Sequence, residues 1–242
     1  MRSDGNCYNK RTGRRFASCV PMHTFGHPVQ IDEAVNICQE HRIPVVEDAA
    51  EALGSYYKGW HVGVFGDIGI LSFNGNKPVT TGGGGMILTN NETFGKKSKH
   101  LTMTAKRPHA WEFIHDSVGY NYRLPNINAA VGCAQMEVFP QTLENKRQTA
   151  LAYREFFHKV GIPSIGEPEN AKSNYWLNAF ILSDRKERDS FLEFAKSRGV
   201  QARPAWTLMN HLPMYRRCQR TDLETAQWFE DHLVNIPSSV RR

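Results

Sequence analysis

A chain of 242 residues, 40% hydrophobic and 22% charged, has an ordinary globular composition and room for one large domain or two small ones. No apolar run is long enough to cross a bilayer, and no apolar h-region follows the basic cluster Lys10, Arg11, Arg14 and Arg15, so neither a membrane span nor a signal peptide is read. The net charge of +6 comes from Lys and Arg scattered along the chain without a recognition motif; this reads as a solvated surface that also suits a phosphorylated substrate, not as a nucleic-acid site.

In chain order, residues 29–43 read as a helix, with Ile31, Val35 and Cys38 at i, i+4 and i+7, closed by Pro44. The apolar step Ile43 to Val46 reads as a strand ending in Glu47 and Asp48, which puts carboxylates at the end where open α/β sheets bind ligands. Ile68 to Phe73 is a second strand, with Gly69 inside it, and Met86 to Thr89 a third. Residues 127–138 form a helix with Ile127, Val131, Ala134 and Val138 on one stripe, and 142–160 a longer one. Trp176 to Leu182 then reads as a strand, 186–198 as a helix stopped at Gly199, Val200 to Arg203 as a strand and 222–234 as a helix. Strand, helix, strand, helix at this size makes a small α+β lobe, so the domain boundary is placed at residue 143. The odd count of five cysteines, with no C-x-x-C pair, points to free thiols in a reducing cytoplasm, not to zinc or disulfides.

Three segments carry chemistry. They are Val45-Val46-Glu47-Asp48-Ala49-Ala50-Glu51; Ser72-Phe73-Asn74-Gly75-Asn76-Lys77, followed by Thr80, Thr81 and four glycines; and Gly119-Tyr120-Asn121-Tyr122-Arg123-Leu124. A cofactor of the pyridoxal phosphate (PLP) type needs an amine for its aldehyde, a carboxylate at its pyridine nitrogen, and small polar groups with backbone N–H groups for its phosphate. Lys77, Asp48 and Ser72 supply those types at predicted strand ends. Singly, each also has an ordinary reading: a turn or cap aspartate, a solvated lysine, a flexible glycine turn. Composition and periodicity alone stop at an α/β protein with a loop-lined site.

Taken together and in order, the three segments resemble the DegT/DnrJ/EryC1/StrS family of sugar aminotransferases. Residues 19–27 also resemble the strand and Phe-Gly turn that precede the first helix in that family. The resemblance runs from about residue 7 to the C-terminus. It implies the α/β fold-type-I PLP-dependent transferase architecture. Residues 1–142 would be the C-terminal part of the large PLP-binding domain, and 143–242 the small C-terminal domain. Lys77 would be the Schiff-base lysine and would carry the proton during transamination. Asp48 would pair with the pyridine nitrogen, and Ser72 would contact the phosphate. Glu51 stands near the cofactor hydroxyl, where Gln or His is usual. Asn121 would reach the phosphate in a neighbouring subunit, which makes a homodimer with shared sites; Arg123 would brace that loop.

The resemblance further implies transfer of an amino group from glutamate to the 4-keto group of a UDP-linked deoxysugar. Residues Thr102 to Asp116 are similar to the legionaminic-acid branch. A sugar dehydratase of this family would carry histidine in place of Lys77. Family members begin with a long segment not present here, one that supplies further phosphate contacts and a ring-stacking aromatic. The expectation is a truncated chain with an exposed sheet edge, weak cofactor binding and little turnover, or a non-catalytic remnant.

Overall fold

The computed structural model describes residues 4–241. It divides into two compact units: the chain through Glu144 with Glu167–Trp176, and Asn145–Gly166 with the chain from Leu177 onward.

In the first unit, α1 (Ile31–Glu40) leads to β1 (Val46–Asp48). The helix ends before Pro44 because Arg42 turns left-handed at φ 52°, and the Ile43 amide returns to the Cys38 carbonyl. A small antiparallel sheet follows, made of β2 (Tyr56–Tyr57), β3 (Trp60–His61) and, much later, β6 (Ala171–Lys172). The pairing of β6 with β2 draws residues 167–176 back into this unit.

The main sheet has the order β1–β4–β5, where β4 is Ile68–Ser72 and β5 is Gly85–Leu88. β1 and β4 are parallel, so Asp48 and Ser72 both lie at carboxyl ends; β5 runs antiparallel. Gly69 allows this packing, since a Cβ there would sit 1.9 Å from the Gly63 carbonyl oxygen. The core gathers Ile31, Val45, Val62, Leu71, Val79 and Phe139.

Helices α2 (Glu92–Thr102) and α3 (Asn126–Glu137) complete the first unit, and α4 (Phe139–Lys159) runs on into the second. Neither α2 nor α3 has a buried residue among those described. The apolar stripe expected on α3 is present, but it faces outward: Ile127 is 80% exposed and Val131 44%. Met86 and Ile87 of β5 are exposed too, and among the described strands β5 pairs only with β4.

The second unit is an antiparallel sheet in the order β7–β9–β8, from Asn178–Ile181, Leu233–Ile236 and Arg203–Pro204 respectively. Helices α5 (Arg185–Ser197) and α6 (Glu224–His232) belong to it. Phe157 of α4, Phe180, Leu182, Val234 and Ile236 form its core. Gly199 is left-handed at φ 72° and caps α5 as its sequence predicts. The helix expected over 222–234 stops at His232. Leu233 and Val234 start β9 instead, because they pair with Ile181 and Phe180.

Candidate active site

The site grows from the carboxyl ends of β1 and β4. Asp48, last in β1, is half-buried, and its Oδ1 accepts the Ala50 amide at 3.1 Å. Glu51 lies one turn on and is buried. Its Oε2 accepts the amide of Phe25 at 2.8 Å, a residue held in the left-handed region at φ 59°. The next residue, Gly26, tolerates no side chain, since a Cβ would come within 1.8 Å of Asn174 Oδ1. Asn174 in turn donates to the carbonyls of Glu51 and Leu53, both at 2.8 Å. This network aims the Glu51 carboxylate.

Lys77 sits in the turn after β4, where its amide closes on the Asn74 carbonyl at 3.0 Å. Its Nζ is 3.5 Å from Glu51 Oε1, with both side chains 10% exposed. It also lies 3.7 Å from the centroid of the Trp176 ring. Trp176 is fixed by donating from Nε1 to the Asn76 carbonyl at 2.6 Å. Burial raises the Glu51 carboxyl above its ordinary range; the Phe25 amide and Lys77 offset only part of this, and Asp48 adds to it. Ser72 ends β4 opposite Gly85, and the glycine turn 82–85 follows with Gly82 and Gly84 at positive φ.

Asp48, Glu51 and Lys77 are thus brought together, with Ser72 at the adjoining strand end. Asn121 is elsewhere: it is exposed and bridged to Met103 after α2. Phe25, Asn174 and Trp176 are additions that sequence reasoning missed. The Phe-Gly turn was visible locally, but nothing near Trp176 in sequence connects it to Lys77. The donor set suits a PLP-like group: a carboxylate for a protonated ring nitrogen, an amine for an aldehyde, and a hydroxyl with glycine amides for a phosphate.

A second buried group flanks the site. His27 Nδ1 lies 2.9 Å from Ser173 Oγ, its ring meets Tyr175 edge-on at 5.2 Å, and its Nε2 has no hydrogen-bond partner among the described residues. Burial pushes its imidazole down to about 4, against an opposing pull from Glu167. The folded protein therefore takes up this proton only near pH 4, whereas the unfolded chain does so near 6.5. Stability from His27 should be complete above pH 6.5 and lost as pH falls toward 4, by up to about 3 kcal/mol. Denaturant titrations at pH 7 and pH 5 should show a larger loss for the wild type than for His27→Gln.

An amine and a carboxylate at the carboxyl ends of an α/β sheet suit a PLP-dependent transferase, and the superposing aminotransferase structures place the chain in the fold-type-I class. The sequence matches the DegT/DnrJ/EryC1/StrS aminotransferase family over residues 8–241, and the chain belongs to that family. Aminotransferases of this family use PLP. The chain is 36% identical over 207 residues to the putative pyridoxal phosphate-dependent aminotransferase EpsN of Bacillus subtilis strain 168, covering 85% of this chain and 53% of that protein. It is 33% identical to the GDP-perosamine synthase of Escherichia coli O157:H7, over 90% of this chain and 60% of that one. Among solved structures, the PLP form of the putative sugar aminotransferase Spr1654 from Streptococcus pneumoniae superposes with a TM-score of 0.84 at 21% identity, covering 93% of this chain and 63% of that one. The chain therefore spans little more than half the length of the curated relatives it matches.

Proposed function

We propose that this chain carries the amine-transfer centre of a nucleotide-sugar aminotransferase, moving an amino group from glutamate to the 4-keto carbon of a deoxysugar. The observation that carries the reading is Lys77, held between the Glu51 carboxylate and the Trp176 ring. When bound, PLP supplies the electron sink. Lys77 Nζ holds the cofactor aldehyde and moves the proton at the reacting carbon. Asp48 keeps a proton on the pyridine nitrogen. Ser72 and the glycine amides hold the phosphate, and Glu51 positions the Lys77 amine. Asn121, exposed on its own loop, serves a second copy in a homodimer with shared sites. The five free thiols suit a reducing cytoplasm. UDP-linked and GDP-linked 4-ketosugars are the two substrates to assay. A non-catalytic relative of these enzymes is the second reading, favoured by the exposed apolar surfaces of β5 and α3.

The test is a visible absorbance spectrum after PLP is added, followed by borohydride reduction and peptide mapping. A label on Lys77 supports the reading; a label on another lysine, or none, removes it. Asp48→Asn should leave that label in place and slow amine transfer by roughly 10²–10⁴-fold, because the proton on the ring nitrogen is no longer stabilised. Single-turnover kinetics with glutamate checks this, and a wild-type rate would take the role from Asp48.

A further inference from the structure

Asn174 reaches the site from β6, which pairs with β2 just before it in the chain. It is fully buried. An asparagine side chain offers two hydrogens and an accepting oxygen, and here all are used. Nδ2 donates to the carbonyls of Glu51 and Leu53, and Oδ1 accepts the Trp176 amide at 2.8 Å. The Asn174 amide donates to Ser55 Oγ at 3.0 Å, and that hydroxyl donates to the Gly26 carbonyl at 2.7 Å. Between Asn174 and Trp176, Tyr175 is left-handed at φ 49°, a strained conformation that persists only under restraint from its surroundings.

These bonds close a circuit around the amine. Lys77 Nζ rests against the Glu51 carboxylate on one side and the Trp176 ring on the other. The Glu51 wall is tied to Asn174 through its carbonyl, and the Trp176 wall through its amide. Trp176 then returns to the lysine's own turn, where Nε1 meets the Asn76 carbonyl. Glu51 and Trp176 come from segments far apart in sequence, so a residue that bonds both fixes the gap in which the amine stands. Aspartate is no equal substitute, because it would turn a second oxygen toward the Glu51 and Leu53 carbonyls and leave them without a donor.

We propose that Asn174 is a positioning residue for Lys77: it sets the separation of the Glu51 carboxylate and the Trp176 ring, and through them the direction of the amine. It acts through those two walls and not on the reacting atoms. Its part in amine transfer rests on the aminotransferase reading above.

Two readouts on the whole chain test this. The first needs no cofactor: acylation of Lys77 by acetic anhydride, followed by peptide mapping. The walls leave the Lys77 side chain only 10% exposed. Asn174→Ala should let them slip and raise the acylation rate about fivefold, the effect of roughly one hydrogen bond. Trp176→Ala should raise it too, and the double variant by less than the product of the two, because both changes act on one wall. The second readout is the pH titration of the visible band after PLP is added. Its midpoint should be displaced in Asn174→Ala and less so in Asn174→Ser, whose hydroxyl can still accept the Trp176 amide. A merely structural residue would lower the unfolding midpoint and leave both readouts unmoved. If Asn174→Ala does not fold, Asn174→Ser carries both measurements. Wild-type acylation and titration in a folded Asn174 variant, or effects of Asn174→Ala and Trp176→Ala that simply multiply, would overturn the assignment. Borohydride labelling of Lys77 is read in parallel. A label with no effect of Asn174 sinks the positioning role alone; faster acylation without a label supports that role and sinks the aminotransferase reading alone.

Discussion

Replacing Lys77 with alanine should abolish the borohydride-fixed label and lower amine transfer by at least roughly 10²–10⁴-fold, the contribution of a positioned proton carrier. The position is built for one amine. Its neighbours are a carboxylate at 3.5 Å and an indole face at 3.7 Å, and both favour a cation of this size. Alanine leaves the buried Glu51 without its cation and still beside Asp48, and its raised carboxyl then rises further, because one of the groups opposing burial is gone. A small primary amine added to the Lys77→Ala protein should restore part of the transfer rate. Full activity in the untreated variant, measured by glutamate-dependent single turnover, would place the chemistry elsewhere.

Loss of Glu47 should be the most damaging single change to stability. Glu47 and His23 are both fully buried, and His23 Nε2 stands 3.3 Å from Glu47 Oε2. His23 Nδ1 accepts the Val29 amide at 3.2 Å, so Nε2 carries the hydrogen and donates to the carboxylate. The amides of Gly63 and Gly66 reach the same carboxylate at 2.6 Å, and that of Phe65 at 2.5 Å. Glu47 thereby ties the loop before β4 to β1. Burial alone would raise its carboxyl; the His23 donor and the Gly66 and Gly63 amides outweigh it and hold it below the ordinary 4.5.

Glu47→Ala strands these donors in the interior and should cost about 3–5 kcal/mol; Glu47→Gln, which keeps one accepting oxygen, should cost about 1–3 kcal/mol. Guanidinium denaturation checks both, as a lower midpoint at unchanged slope. Because the folded pKa is depressed, the contribution from Glu47 is present above the carboxylate range and lost as pH falls through it. Both variants should therefore lose part of the wild type's acid sensitivity.

Much of this was legible in the chain itself. The stripe Ile31, Val35, Cys38 marked α1, and the apolar steps before Asp48 and Ser72 marked β1 and β4. Asp48 and Glu51 are three residues apart, and Ser72 and Lys77 five, so each pair is close through local backbone alone. What failed was local pattern without local cause. Two-residue strands such as β2, β3 and β6 are too short to show a period. The charged α2 buries nothing among the described residues, so it writes no stripe. Leu233 and Val234 continue the apolar spacing of α6 and read as its last turn.

The sequence by itself marked the main strands through short-range periodicity, which needs no partner, and pointed to the family and the residue types of the candidate site through the resemblance of its ordered motifs. Only the tertiary structure decided that Glu51 and Lys77 meet across 26 residues, that Trp176 arrives from far beyond both, and that Leu233 starts a strand. Those outcomes depend on which distant backbone supplies a hydrogen bond or a face to pack against, and no local pattern contains that partner.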